Sequence, residues 1–117
     1  KYTQMVEAVR QSGKLPIMLN LPPVDHEKYF AWISRGLNAE HILKWLGGSS
    51  EFIYRRHEQY SIAVHKIASN TNAKLIDIRS AFLERRDYAS LLCADGIHLN
   101  AEGHALIAQT IINHGVN

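Results

Sequence analysis

A single cysteine, Cys93, stands in the 117 residues. The chain therefore closes no internal disulfide, and the lack of a disulfide framework favours a reducing compartment such as the cytoplasm. No apolar run approaches the roughly 20 residues needed to cross a bilayer, so no transmembrane segment is expected. Neither sign of charge dominates, since 13 basic and 11 acidic residues leave a net charge of +2. The basic residues are scattered, and the pairs Arg55-Arg56 and Arg85-Arg86 read as solvated helix faces. No nucleic-acid partner is expected, because tracking phosphates requires cations clustered on one face. Internal repeats and low-complexity linkers are absent as well, which leaves one domain over residues 1–117. An initiator methionine is also lacking. The chain opens on Lys1-Tyr2-Thr3-Gln4-Met5 inside a helical pattern and is expected to be part of a longer chain, so the missing signal peptide says nothing about export.

What is present is ordinary globular composition, 46% apolar and 21% charged. Residues 2–12 place Met5, Val6, Ala8 and Val9 at helical spacing, and Gly13 stands where a helix-terminating glycine belongs. Residues 15–21, "LPIMLNL", form a short apolar run before Pro22-Pro23. That pattern suits a strand buried on both faces, starting near Pro16 because proline cannot donate to a ladder. Two short helical patterns follow over residues 27–46, broken at Gly36, the second capped by Asn38. After Gly47-Gly48-Ser49-Ser50, a longer helix is predicted from about Glu51 to Thr71, with Ile53, Tyr60, Val64, Ile67 and Ala68 as its apolar stripe. Residues 74–78, "KLIDI", are the second strand. A helical turn or two over residues 80–92 and a last helix from Ala101 to about Asn113 complete the chain. Helices alternating with short buried strands predict an α/β fold with a parallel sheet. Two such strands do not make a stable sheet alone. Further strands are expected from a missing N-terminal half or from another copy of the chain.

The chemistry-bearing stretch is residues 93–104, "CADGIHLNAEGH". Sites in open α/β sheets form in loops beyond the carboxyl ends of strands, and this stretch lies downstream of the second strand. Asn100 reads as the cap of the last helix, with Glu102 in its first turn where an acid suits the dipole. Asp95 and His98 remain in the loop ahead of it. An Asp-x-x-His turn, permitted by Gly96, brings the carboxylate to the imidazole Nδ1–H and leaves Nε2 as a base. Read from spacing alone, the alternative is that Asp95 caps a turn and His98 is an exposed loop residue.

The string "DGIHLNAEGH", preceded by "LIDIRSAFL" and by "LPIMLNLPP", resembles the C-terminal half of the SGNH hydrolases, the GDSL-type lipases and acylhydrolases. The resemblance covers nearly all 117 residues. It implies a three-layer α/β/α, flavodoxin-like fold with a parallel sheet, of which this chain is the C-terminal part. It also implies that Asp95 and His98 are the catalytic acid and base of a Ser-His-Asp triad in an ester hydrolase: a lipase, esterase or acylhydrolase. Its substrate would be an ester-containing small molecule, a lipid or an acetylated sugar, with no cofactor. The family's nucleophilic serine stands in a Gly-Asp-Ser block, and a glycine and an Asn from further blocks help form its oxyanion hole. This sequence has no Gly-Asp-Ser and no Gly-x-Asn-Asp. Those blocks are expected upstream of Lys1, and the chain alone is expected to be inactive. A complete protein should gain activity as pH rises through the reference imidazole pKa of about 6.5. The alternative function is a non-catalytic α/β binding or assembly module.

Other residues read as structural. Ser49 and Ser50 lack a Gly-x-Ser-x-Gly context and suit helix capping. His104 sits beside Asp95 and His98 in sequence, but zinc requires three or four converging ligands. No metal is expected, and His104 reads as a packing or hydrogen-bonding residue near Gly103. Asp77 and Asn20 read as hydrogen-bonding residues at strand ends. His26, His41, His57, His65 and His114 read as ordinary. The aromatic set Tyr29, Phe30, Trp32 and Trp45 reads first as packing, and secondly as a cover over the site that contacts an acyl chain.

Overall fold

The computed structural model describes residues 1–114. Helix α1 covers Tyr2–Gln11 and buries only Val6. Past its end, the Gly13 N–H donates to Arg10 O (3.0 Å) and the Lys14 N–H to Val9 O (3.3 Å), which satisfies carbonyls a helix end leaves open. Strand β1 (Ile17–Leu19) begins directly after Pro16 and pairs in parallel with β2 (Lys74–Ile76) in the register Ile17 to Lys74, Met18 to Leu75 and Leu19 to Ile76. Among the described residues these two strands are the whole sheet. The apolar run predicts burial on both faces of β1, and the structure corrects it. Met18 is buried, while Ile17 and Leu19 on the opposite face are half-buried.

The connection between the strands carries three helices. Helix α2 (His26–Ile33) is capped by Asp25, whose side chain accepts from the Lys28 N–H, and α3 (Ala39–Trp45) is capped by Asn38, which accepts from the His41 N–H. Helix α4 runs over the 21 residues Glu51–Thr71, the bounds the apolar spacing predicts. Ser49 Oγ accepts from the Glu51 N–H at 3.1 Å to start it. Its buried face is Ser61, Val64, Ala68 and Thr71, a spacing of three, four and three residues that follows the helical period. Tyr60, assigned to that stripe from sequence, is instead 54% exposed. It lies one residue, about 100°, away from the covered row, and the small Ser61 takes the place against the core. Val64 and Ala68 meet Val6 and Met18 there, with Ile67, Ala73 and Leu75 at the edge.

Strand β2 ends at Ile76, two residues short of the expectation. Asp77 turns from the strand to cap the next helix, α5 (Ile78–Leu83), by accepting from the Ser80 N–H. A 3-10 turn at Tyr88–Leu91 follows, and α6 covers Ala101–Asn113. Phe82 of α5, Leu91 of the turn and Ile76 of β2 are fully enclosed, and α6 packs on α5 and on the turn. The protein is thus mixed α/β with a small parallel sheet. Among the described residues no helix is long and apolar enough to cross a membrane.

Candidate active site

The loop between the 3-10 turn and α6 is closed on itself. Leu92 and Leu99 form an antiparallel bridge, the Cys93 N–H donates to His98 O (2.7 Å), and the Asn100 N–H donates to Leu91 O (3.0 Å). Asn100 binds at both ends. Its Oδ1 accepts from the Gly103 N–H (3.0 Å) as the cap of α6, and its Nδ2 donates to Ser90 O (2.7 Å). The tip of the loop rests on the start of α2, where the Asp25 N–H donates to Gly96 O at 2.9 Å. Gly96 has φ +74°, and a Cβ there would stand 2.6 Å from Asp25 O and 2.8 Å from Tyr29 N. Only glycine meets both conditions.

Within this frame Asp95 and His98 come together. Asp95 Oδ1 accepts from the N–H groups of Ile97 and His98, both at 3.0 Å, and Oδ2 lies 2.5 Å from His98 Nδ1. A carboxylate only accepts, so this contact places the ring proton on Nδ1 and leaves Nε2 of the neutral imidazole with its lone pair. The hydrogen bond from the His98 ring, followed by those from the two N–H groups, holds the Asp95 carboxyl down to about 2. The Asp95 side chain keeps 14% of its accessibility and that of His98 keeps 75%. The acid is thus sheltered behind an imidazole that faces solvent.

The neighbouring sequence candidates separate. His104 is exposed on α6 and does not join the pair. The close packing expected of it belongs to Gly103, where a Cβ would meet Leu91 O at 2.5 Å. Among the described residues no three His, Cys, Asp or Glu side chains converge as a metal site. Ser50 is the N-cap position of α4 and makes no side-chain bond to the helix; Ser49 Oγ accepts from the Glu51 N–H, and Ser50 Oγ lies 2.9 Å from His26 Nδ1, a partner that sequence spacing does not reveal. Of the four aromatic residues, Tyr29 and Trp45 line a cavity beside the loop. Trp32 lies under the Arg35 guanidinium, 3.4 Å from its ring centroid, and Phe30 is half-buried on α2.

A second polar cluster, whose long-range partners the sequence does not reveal, stands at the carboxyl ends of both strands. Asn20 follows β1 and Asp77 follows β2. Asn20 Nδ2 donates to Asp77 Oδ1 (2.6 Å) and lies 2.9 Å from His65 Nε2, while Asn20 Oδ1 accepts from the Arg79 N–H (3.0 Å). Burial pushes the Asp77 carboxyl up. Hydrogen bonds from Ser80 and Asn20, aided by the nearby His65, outweigh it and leave the group below its ordinary value. The buried Arg79 donates to Leu21 O (3.1 Å) and Glu58 Oε2 (2.6 Å), and its Nη1 lies 3.4 Å from His57 Nδ1. Burial and the Arg79 charge lower the His57 pKa, against a smaller opposing effect of Glu58. This cluster holds Leu21, at the start of the segment that reaches Asp25 and the Asp95–His98 loop. Strand-end Asn and Asp residues are legible in sequence as hydrogen-bonding groups, but the partners lie 45 to 59 residues away along the chain.

The fold and the loop define an α/β protein with an acid–imidazole pair on a loop beyond its second strand. Residues 1–106 match the GDSL-like lipase/acylhydrolase family, and the chain belongs to that hydrolase family. No curated protein matches the chain.

Proposed function

We propose that Asp95 and His98 are the acid and base of a Ser-His-Asp relay, and that the chain is the C-terminal part of a serine ester hydrolase. The observation that carries this reading is the 2.5 Å contact from Asp95 Oδ2 to His98 Nδ1, with Nε2 free of hydrogen bonds among the described residues. His98 Nε2 takes the proton of a serine hydroxyl as its Oγ attacks the ester carbonyl. Asp95 steadies the imidazolium that forms, and His98 then returns the proton to the leaving alcohol. A water activated by the same Nε2 releases the acid. Asp95, held down to about 2, stays ionised throughout the neutral range and is therefore available as the acceptor for His98 Nδ1.

No serine hydroxyl bonds to His98 among the described residues, and the nucleophile belongs to a segment outside these 117 residues. A fluorophosphonate probe therefore leaves the isolated chain unlabelled, and labelling of any serine here overturns the placement of the nucleophile. In the ester-hydrolysing protein that contains this chain, His98→Ala lowers kcat for a p-nitrophenyl ester by roughly 10⁴-fold or more, and Asp95→Asn lowers it by about 10⁴-fold. Normal turnover by His98→Ala refutes the assignment of His98 as the base.

A further inference from the structure

The hydrogen bonds that join Asp95 to His98 lie within residues 95–98, whereas the contacts that place the pair in the molecule come from outside the loop. The segment Leu21–Asp25 supplies them. Its Asp25 N–H donates to Gly96 O (2.9 Å), and its Val24 O accepts from Tyr88 Oη (3.3 Å) in the turn ahead of the loop. Pro22 and Pro23 stand in the middle of the segment with φ locked near −65°, and Pro23 and Val24 are buried. With so few free torsions, a displacement at one end is passed to the other. The far end is held by Arg79, in the first turn of α5. Nη1 donates to Leu21 O (3.1 Å), Nη2 to Glu58 Oε2 of α4 (2.6 Å), and the backbone N–H to Asn20 Oδ1 (3.0 Å). Arg79 is only 5% exposed. That enclosure comes from the chain's own residues, and any further segment can only deepen it.

Stability does not account for this buried charge. Taking a guanidinium out of water is costly, and Nε of Arg79 has no hydrogen-bond partner among the described residues. Its ion-pair partner Glu58 keeps 41% of its side-chain accessibility, so solvent screens the attraction. A well-packed apolar side chain in such a place is often as stable or more so. What apolar packing lacks is direction, because a planar fork of donors sets the position of the oxygens it binds. We propose that Arg79 is a positioning residue for the base, acting through Leu21–Asp25 to set where His98 Nε2 stands relative to the serine it serves. Arg79 touches no reacting atom. The proposal rests on the relay reading above for the role of His98.

The test uses the ester-hydrolysing protein that contains this chain, with kcat for a p-nitrophenyl ester taken per folded molecule as judged by far-UV circular dichroism. Arg79→Met keeps an unbranched apolar chain and removes the fork. It is expected to lower kcat by about 10²-fold, the effect of a misplacement on the order of 1 Å at the reacting atoms. Arg79→Lys brings a point charge that cannot hold Leu21 O and Glu58 in the geometry of the fork, so its kcat falls between those of Arg79→Met and the unsubstituted protein. It carries the test if the Met variant does not fold. Two readouts separate positioning from general loosening. In a His98→Ala background the Arg79 substitution produces no further fall, because the base it positions is gone. The downfield proton resonance of His98 Nδ1–H persists in the Arg79 variants, since its bond to Asp95 is made within the loop. Unchanged kcat in every folded variant, an undiminished loss in the His98→Ala background, or disappearance of the downfield signal overturns the proposal and leaves the relay standing. Normal turnover by His98→Ala alone removes the relay, and with it the role assigned to Arg79.

Discussion

Replacing Gly96 by Ala tests how the reactive loop is held on α2, because two separate penalties meet at one methyl group. The first is backbone strain. At φ +74° an L-residue costs about 1–2 kcal/mol, offset by the roughly 0.4–1 kcal/mol that Ala gains by restricting the unfolded chain. The second is steric, since the new Cβ stands 2.6 Å from Asp25 O and 2.8 Å from Tyr29 N, both backbone atoms that no rotamer change moves aside. Overpacking of this kind costs about 1–3 kcal/mol, and the two effects together lower stability by roughly 2–4 kcal/mol. Gly36 supplies the control. Its φ is +70° and a Cβ there would meet nothing within 4 Å, so Gly36→Ala bears only the strain and loses about 0.5–1 kcal/mol. Urea unfolding followed by far-UV circular dichroism separates them. With an m-value of about 1–3 kcal/mol/M, Gly96→Ala shifts the midpoint down by about 1–2 M at unchanged m. Hydrogen exchange at the Asp25 amide, which donates to Gly96 O, accelerates in the same variant. Equal midpoints for the two variants refute the close approach of loop and helix.

Asn100→Ala removes both the cap of α6 and the bond to Ser90 O, and is expected to cost about 1–3 kcal/mol, read as a lowered thermal midpoint. A loss below about 0.5 kcal/mol shows that the loop closes without it. His57 sets a pH dependence. Its folded pKa is depressed by burial and by Arg79, so the folded state binds the proton less tightly than the unfolded one. Stability is then complete above about 6.5 and declines as pH falls below that value. His57→Gln flattens this part of the profile, and an unchanged slope in urea titrations between pH 7 and pH 5 contradicts the assignment. Asp95 acts at the acid end, because its pKa is lowered to about 2. The stability it contributes is present above 3.8 and is lost as pH falls towards 2, and Asp95→Asn removes that step.

Much of the frame is legible in the sequence because its signals are local. The bounds of α4, the caps Asn38 and Asn100, the start of β1 after Pro16 and the extent of α6 each depend on residues within a turn or two of one another. The Asp95–His98 pair belongs to the same class. Three residues of separation and one glycine put the carboxylate within reach of the ring. The features that sequence reasoning misses are of another kind. Asp25 caps α2 unannounced, although an Asp three residues ahead of the Lys28 amide is a signal the sequence carries. Tyr60 falls on the predicted stripe through its apolar character, where the helical phase favours Ser61. His57, His65 and His26 look ordinary because their partners, Arg79, Asn20 and Ser50, lie 22 to 45 residues away.

The sequence by itself determined the order of helices and strands, the caps Asn38 and Asn100 and the short Asp-x-x-His turn that puts Asp95 within reach of His98, since helix periodicity, N-caps and short turns are short-range physics. Only the tertiary structure decided what surrounds that pair. The parallel register of β1 and β2 brings Asn20 beside Asp77, and Arg79 then ties Leu21 to α4. The seating of Gly96 on α2 sets Ile97 against a cavity whose other walls come from residues up to 76 positions earlier. Such contacts follow from how whole elements bury their apolar faces, and no local pattern of residues specifies them.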